Sequence, residues 1–152
     1  MKVTQYSEGC GALISDIQLA DLSVTQLADL RTIFAKHGLL FFRDQDFSPQ
    51  DHLQFAQRFG SIVVNKFFRA IEQFPEIAEV RKEKEQQTNI GGGWHTDHSY
   101  DDIPAMGSIL VARKLPETGG DTQFANLANA YDALSPQIKS RIENLRAVHS
   151  NK

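Results

Sequence analysis

The feature that most constrains the fold is a helix–strand–helix pattern in the first 60 residues. Ser23 and Gln26 have the spacing of a capping box, and Gly38 supplies a left-handed stop, so a helix is predicted between them. The apolar run LLFF that follows predicts a buried strand. A second helix is predicted to begin at Ser48, which precedes a proline, and to end at Gly60.

The remaining segments predict an α+β domain. GALIS is a short apolar run ahead of the first helix. The runs GSILVAR and TQFANL predict strands, and the loop KLPETGGD between them has the turn chemistry of a hairpin connection. Two helices are expected near the end, NAYDAL and the segment QIKSRIENL that begins at Ser135 and Pro136. The charged run EVRKEKEQQTN predicts a solvated loop or strand edge. Helices come first and strands later, without repeat or linker, so residues 1–152 are interpreted as a single α+β domain.

Composition narrows the class of protein. Apolar residues make up 41% of the chain and charged residues 23%, which is an ordinary globular balance. The net charge of -3 and the lack of a lysine/arginine stripe predict no nucleic-acid partner. No apolar run is long enough to span a membrane, and the N-terminus is too polar for a signal peptide. With Cys10 as its single cysteine, the chain is expected to be soluble and cytoplasmic.

The stretch GGGWHTDHSY carries the candidate chemistry. In a β-strand, side chains at i and i+2 point to the same face, so His95 and Asp97 are predicted to project together and Thr96 the other way. An imidazole and a carboxylate on one face can take two neighbouring positions on one metal ion. A third ligand would complete a facial triad, which suits iron(II) and leaves three positions open.

Two other interpretations of this stretch stay open from the residues alone. A bare His-x-Asp arises readily by chance, so a polar loop is one alternative. A zinc hydrolase pattern, His-x-His-x-Asp-His, is the other, but it requires a histidine where Gly93 stands. The flanking residues favour a site: three glycines permit close backbone approach, and Trp94 offers an apolar wall against water.

Several segments, in this order, resemble the taurine dioxygenase-like (TauD/TfdA) family of iron(II)- and 2-oxoglutarate-dependent dioxygenases. They are GALISDIQLADLS, GLLFFRDQDFSPQDHLQFAQRFG, WHTDHSY, LPETGGDTQFANLANAYDAL and RAVHSNK. The third and fourth are the specific ones, because Trp-His-x-Asp followed about 25 residues later by Gly-Gly-Asp-Thr is far rarer than either piece. The resemblance implies a double-stranded β-helix (jelly roll) with flanking N-terminal helices, incomplete in this chain.

The resemblance also implies residue roles and cofactors. His95 and Asp97 would be the first two iron ligands, and Thr122 would hydrogen-bond a carboxylate of 2-oxoglutarate. His98 would line the substrate pocket, although a surface or supporting role is equally open. Fe(II), 2-oxoglutarate and O2 would together hydroxylate a small anionic substrate, such as a sulfonate or aryloxyalkanoate, with release of succinate and CO2. Asp97 favours hydroxylation, because halogenating relatives lack this carboxylate.

Two parts of the family pattern have no counterpart in the sequence. These are the distal iron-binding histidine and the arginine that pairs with the second carboxylate of 2-oxoglutarate. His149 matches the family segment RAVH and not the distal ligand. The chain is therefore expected to be truncated at its C-terminal end and inactive alone, with exposed strand edges that favour association with further copies. A non-catalytic relative, acting as a subunit or binding module, is the alternative.

The segment SIVVNKFF departs from the taurine-type pattern. Taurine-type relatives carry polar residues, histidine among them, shortly after the FG that ends the second helix, where this chain has Asn65 and Lys66. This departure argues against taurine itself as the substrate. Lys66 could still meet a sulfonate or a carboxylate.

Overall fold

The computed structural model describes residues 1–150, which combine short strands with helices as expected for the α+β class. The strands are β1 (Lys2–Gln5), β2 (Ala12–Ser15), β3 (Leu40–Phe42), β4 (Ala70–Ile71) and β5 (Phe74–Ala78). The helices are α1 (Val24–His37), α2 (Pro49–Phe59), α3 (Leu127–Asp132) and α4 (Pro136–Ile142), with a 3-10 turn at Leu19–Asp21. Among the described residues, no helix combines the length and apolarity needed to cross a membrane.

Contacts divide the chain into two compact units, of which the first comprises residues 1–47 and 112–146. It holds a three-stranded sheet in which β2 lies between β1 and β3. The β2 strand runs antiparallel to β1 and parallel to β3, so α1 serves as the crossover that a parallel pair requires. The buried apolar residues of this unit are Ala12, Ile14, Leu19, Leu22, Leu30 and Phe47.

The first helix forms where the capping pattern predicts it. The Ser23 hydroxyl accepts from the Gln26 backbone, and the Gln26 side chain accepts from the Ser23 backbone, which closes the capping box. Gly38 ends α1 in the left-handed conformation with φ 69. These local contacts satisfy backbone groups that a helix leaves unpaired at its ends, which is why the sequence alone located both ends.

The second unit comprises residues 48–111 and 147–150 of the described chain. Ser48 caps α2 as predicted, and Asp51 adds the reciprocal half of a capping box. Phe55 is the buried apolar residue of this unit and meets the Phe59 ring edge-on, with centroids 5.1 Å apart. The β4–β5 hairpin is short and antiparallel.

The strands expected at GSILVAR and TQFANL are corrected by the structure. Residues 79–126 all fall within the described part of the chain and contain no helix or strand. An apolar run becomes a strand only when a neighbour pairs its backbone groups, and a single extended segment is not stable alone. The hairpin connection expected between the two runs does not form either, although Gly119 and Gly120 have left-handed φ values of 77 and 75. The charged run is an exposed loop, as predicted.

Candidate metal centre

His95 and Asp97 lie in the second unit, in a loop without regular secondary structure that enters a turn at Asp97. The expected strand is therefore wrong, because no neighbouring strand is available to pair with this segment. The two side chains nevertheless converge, with His95 Nε2 3.3 Å from Asp97 Oδ1. A loop with its own hydrogen bonds thus produces the convergence that the strand was expected to provide.

The separation of these two atoms fits a pair of neighbouring metal ligands. Nitrogen and oxygen ligands lie about 2.1 Å from a first-row divalent metal, so two of them at right angles are about 3.0 Å apart. The observed 3.3 Å is close to that value. The side chains are 56% and 62% exposed, which leaves the pair open to solvent.

A backbone carbonyl determines which nitrogen of His95 faces the carboxylate. His95 Nδ1 lies 2.8 Å from the Gly93 carbonyl oxygen, which can only accept, so Nδ1 carries a proton and donates it. In the neutral ring, Nε2 then presents its lone pair towards Asp97 Oδ1. Two acceptors facing each other need a proton or a metal cation between them, and a carbonyl on the far nitrogen is the usual support of a metal-binding histidine.

Asp97 is also oriented by a second contact. The Ser108 hydroxyl donates to Asp97 Oδ2 at 3.2 Å, and Oδ1 is the oxygen on the His95 side. Ser108 could not be predicted from the sequence, because no local pattern connects residues that lie 11 positions apart. Each oxygen of the carboxylate therefore has a separate partner.

Gly91 supplies the close approach that the glycine run suggested. It has φ 65, and a Cβ built there would lie 3.1 Å from His95 Cε1. Gly93 differs, because a Cβ there would meet no atom within 4 Å. The expectation is thus confirmed at Gly91, whose backbone lies against the His95 ring. Trp94, expected to form an apolar wall, is 72% exposed.

His98 lies in a small aromatic cluster next to the pair. Its φ of 53 is unusual for a residue with a side chain. Its Nδ1 lies 3.0 Å from Asp101 Oδ2, and its side chain is 22% exposed. The ring centroid lies 5.7 Å from that of Tyr100 and 6.5 Å from that of Phe67. The left-handed turn and the Asp101 contact fix where this imidazole stands.

The other residues singled out from the sequence lie elsewhere. Thr122 belongs to the first unit, in an exposed segment without secondary structure. Asn65 is engaged locally, since its Oδ1 accepts from the backbone of the second and third residues after it. Lys66 is exposed. Within residues 1–150, no group of three His, Cys, Asp or Glu side chains is placed to hold a metal ion.

Comparison with known proteins identifies the class of protein to which this loop belongs. The family model for taurine catabolism dioxygenase TauD, TfdA family, matches residues 2–152. A (S)-phenoxypropionate/alpha-ketoglutarate-dioxygenase from Sphingobium herbicidovorans is 33% identical over 92% of this chain and 50% of its own. The chain belongs to the TauD/TfdA dioxygenase family.

Solved structures agree with this assignment. A taurine dioxygenase from Burkholderia xenovorans superposes with a TM-score of 0.86 at 30% identity, over 99% of this chain and 54% of its own. AAD-2, solved in complex with Mn(II) and N-oxalylglycine, gives 0.76 at 29% identity, over 95% and 50%. The chain thus spans about half the length of the curated relatives and solved structures that it matches.

Proposed function

We propose that this chain carries part of the active site of an iron(II)- and 2-oxoglutarate-dependent dioxygenase that hydroxylates a small anionic organic molecule. The observation that carries the proposal is the pair of facing acceptor atoms, His95 Nε2 and Asp97 Oδ1, 3.3 Å apart. Family membership over residues 2–152 supports the same reaction class.

In this proposal His95 and Asp97 bind Fe(II) as neighbouring ligands. Their supports are the Gly93 carbonyl, which holds the tautomer of His95, and the Ser108 hydroxyl, which holds the far oxygen of Asp97. When bound, Fe(II), 2-oxoglutarate and O2 supply the oxidation that converts a C–H bond to C–OH, with release of succinate and CO2. The residues of this chain position the metal.

The proposal assigns the missing parts of the site to chain outside residues 1–150. These are the third protein ligand, the arginine for the second carboxylate of 2-oxoglutarate, and the strands that complete a double-stranded β-helix. Two solved structures that match this chain are about twice as long, which supports that assignment. Residues 1–152 would then be part of one dioxygenase domain.

Thr122 is proposed to bind one carboxylate of 2-oxoglutarate. A threonine hydroxyl can donate to a carboxylate without adding a charge to the site. The left-handed backbone of Gly119 and Gly120, two residues before it, and the exposure of the segment are compatible with this role.

His98 is proposed to contact the substrate. Asp101 Oδ2 lies 3.0 Å from Nδ1, so the contact with an anionic substrate would fall to Nε2. An imidazole with protons on both nitrogens can donate to Asp101 and to a carboxylate or sulfonate at the same time. The Tyr100 and Phe67 rings beside it would meet the apolar part of the molecule. Phenoxypropionate, named for one relative, carries a carboxylate, and taurine, named for another, carries a sulfonate.

One observation favours a second candidate, a non-catalytic relative that serves as a subunit or binding module. Residues 1–150 contain two converging donors and no third one beside them. This candidate predicts a stably folded chain that forms no succinate under any supply of Fe(II), 2-oxoglutarate and O2.

The decisive experiment is anaerobic titration of Fe(II) and 2-oxoglutarate into the product of the complete reading frame. A weak visible charge-transfer band is expected, followed by succinate formation when O2 is admitted. Asp97→Ala should abolish both, because it removes one ligand and leaves His95 without its partner.

Asp102→Ala is the matched control, since Asp102 is an exposed aspartate five positions away. It should keep both the band and succinate formation. A wild-type protein that folds but gives no band and no succinate would overturn the dioxygenase proposal and favour the binding module.

A further inference from the structure

We infer that His149 is a positioning residue for the loop that carries His95 and Asp97, and that it acts through Ser99 and Thr96. The inference rests on the proposed function, in which His95 and Asp97 are two metal ligands, called here the metal pair. It concerns a histidine that belongs neither to the metal pair nor to the aromatic cluster around His98.

The contacts form a short chain of hydrogen bonds inside the second unit. The Thr96 hydroxyl donates to Ser99 Oγ at 2.7 Å, and Ser99 Oγ lies 2.7 Å from His149 Nδ1. Because Ser99 already accepts from Thr96, its own hydrogen is available to His149 Nδ1. With Ser99 as the donor to His149, the neutral His149 ring carries its proton on Nε2.

These hydrogen bonds act on the loop of His95 and Asp97 through the residue between the two ligands. Thr96 separates His95 from Asp97, so holding its side chain restricts the backbone that sets the angle between the two donor groups. Ser99 belongs to the turn that begins at Asp97. Side chains that contact a metal ligand orient that ligand. The hydrogen bonds from His149 act one contact further from the metal.

Burial does not explain why the segment of His149 reaches the loop. Val148 is 94% exposed, so the residue beside His149 packs against nothing that would hold it there. The bond to Ser99 joins positions 50 residues apart. A direct role as metal ligand is disfavoured, since Nδ1 is engaged by Ser99 and no group of three ligating side chains exists among residues 1–150.

The first test measures the histidine tautomers in the wild-type product of the complete reading frame by long-range 1H–15N NMR at alkaline pH. His149 should carry its proton on Nε2, whereas His95 should carry it on Nδ1, since it donates to the Gly93 carbonyl. A His149 proton on Nδ1 would overturn the inference. This measurement needs no variant and no metal.

The second test measures Mn(II) affinity from the broadening of the His95 signals. His149→Phe removes the hydrogen-bonding nitrogen and should weaken binding about tenfold, the lower end of what outer contacts contribute. His149→Asn keeps a polar atom near the position of Nδ1 and should stay within about threefold of wild type. Ser99→Ala breaks both bonds and should match His149→Phe, and it replaces that variant if the latter does not fold.

The controls separate this inference from the proposed function. His37→Asn changes a histidine of the first unit and should leave Mn(II) binding unchanged. If Asp97→Ala lowers affinity while His149→Phe and Ser99→Ala leave it at the wild-type value, the positioning role is wrong and the metal pair stands. If Asp97→Ala itself has no effect, the metal pair is wrong.

Discussion

The first 59 residues and the stretch from residue 79 to residue 126 are built in different ways. The first region forms three strands and two capped helices, whereas the second, also within the described part of the chain, forms no helix or strand. Both regions contain apolar runs. The difference is that the first region carries the partners of its own strands, since β2 pairs with both β1 and β3.

The second region is instead shaped by side-chain hydrogen bonds around the metal pair. Gly93 and Ser108 each contact one ligand, and Ser99 connects the loop to His149. Regular structure and site geometry therefore have separate origins in this chain. Regular structure depends on backbone pairing, and the geometry of the site depends on a few polar contacts.

The largest predicted effect tests whether the first region is held by its own core. Leu30 in α1 is fully buried, so Leu30→Ala should lower the free energy of unfolding by about 2–5 kcal/mol, through lost apolar contact and the cavity left behind. Urea denaturation measures this as a lower midpoint at an unchanged slope.

Val24→Ala is the matched control in the same helix, because Val24 is 82% exposed. It should change the free energy of unfolding by less than about 0.5 kcal/mol. Equal losses in the two variants would mean that α1 does not pack on a core, and the contrast between the two regions would fail.

A smaller effect is expected from Gln45, whose side-chain amide joins two loops of the first unit. Its Nε2 donates to the carbonyls of Ile17 and Arg43 at 3.1 and 2.8 Å. Its Oε1 accepts from the backbone of Leu19 at 2.9 Å. Gln45→Ala leaves the partly buried backbone groups of Leu19 and Ile17 without partners, so it should lower the free energy of unfolding by about 1–3 kcal/mol.

Gln18 provides the comparison, because it makes the reciprocal pair of contacts in an exposed position. Its amide donates to the Asp44 carbonyl at 3.0 Å and accepts from the Asp46 backbone at 3.3 Å. Water can replace these contacts, so Gln18→Ala should lower the free energy of unfolding by only about 0.5–1.5 kcal/mol in the same urea experiment. A larger loss for Gln18 than for Gln45 would contradict this account of the two loops.

A third prediction concerns the second region and compares two glycines of one run. Gly91→Ala places a methyl group against the His95 ring at a left-handed backbone position, which disfavours that conformation by about 1–2 kcal/mol. The ring should move, and Mn(II) affinity should fall about tenfold, as when an outer support of a metal ligand is lost.

Gly93→Ala keeps the carbonyl that accepts from His95, and its methyl group meets open space. It should retain wild-type Mn(II) affinity in the same NMR titration. Loss of affinity in both variants would show that general stiffening of the run, rather than the Gly91 contact, controls the site.

What the sequence could and could not predict follows from the same contrast. Caps act over three or four residues, so Ser23, Gly38 and Ser48 marked helix ends correctly. The convergence of His95 with Asp97 was also predicted, although through a strand that does not form. The bonds from Ser108 and His149 connect positions 11 and 50 residues apart, and no periodic or capping pattern marks such contacts.

The smallest predicted effect returns to the first region and concerns pH. Hydrogen bonds to Asp51 from the side chain and then the backbone of Ser48 lower the pKa of its carboxyl below the ordinary value of 3.8. A depressed folded-state pKa means that the unfolded chain binds the proton more readily. The stabilisation is therefore fully present above the ordinary pKa and is lost as the pH falls through the folded one.

The loss of stability caused by Asp51→Asn should depend on pH in the same direction. The difference in urea midpoint should be largest at neutral pH and should shrink as the pH falls below the ordinary pKa of 3.8, because the wild-type carboxylate is progressively protonated there. Ser48→Ala removes the larger of the two causes, so in that background Asp51→Asn should produce much less pH dependence. A difference that grows as the pH falls would mean that the cap binds the protonated acid, and the local account of how α2 begins would have to be replaced.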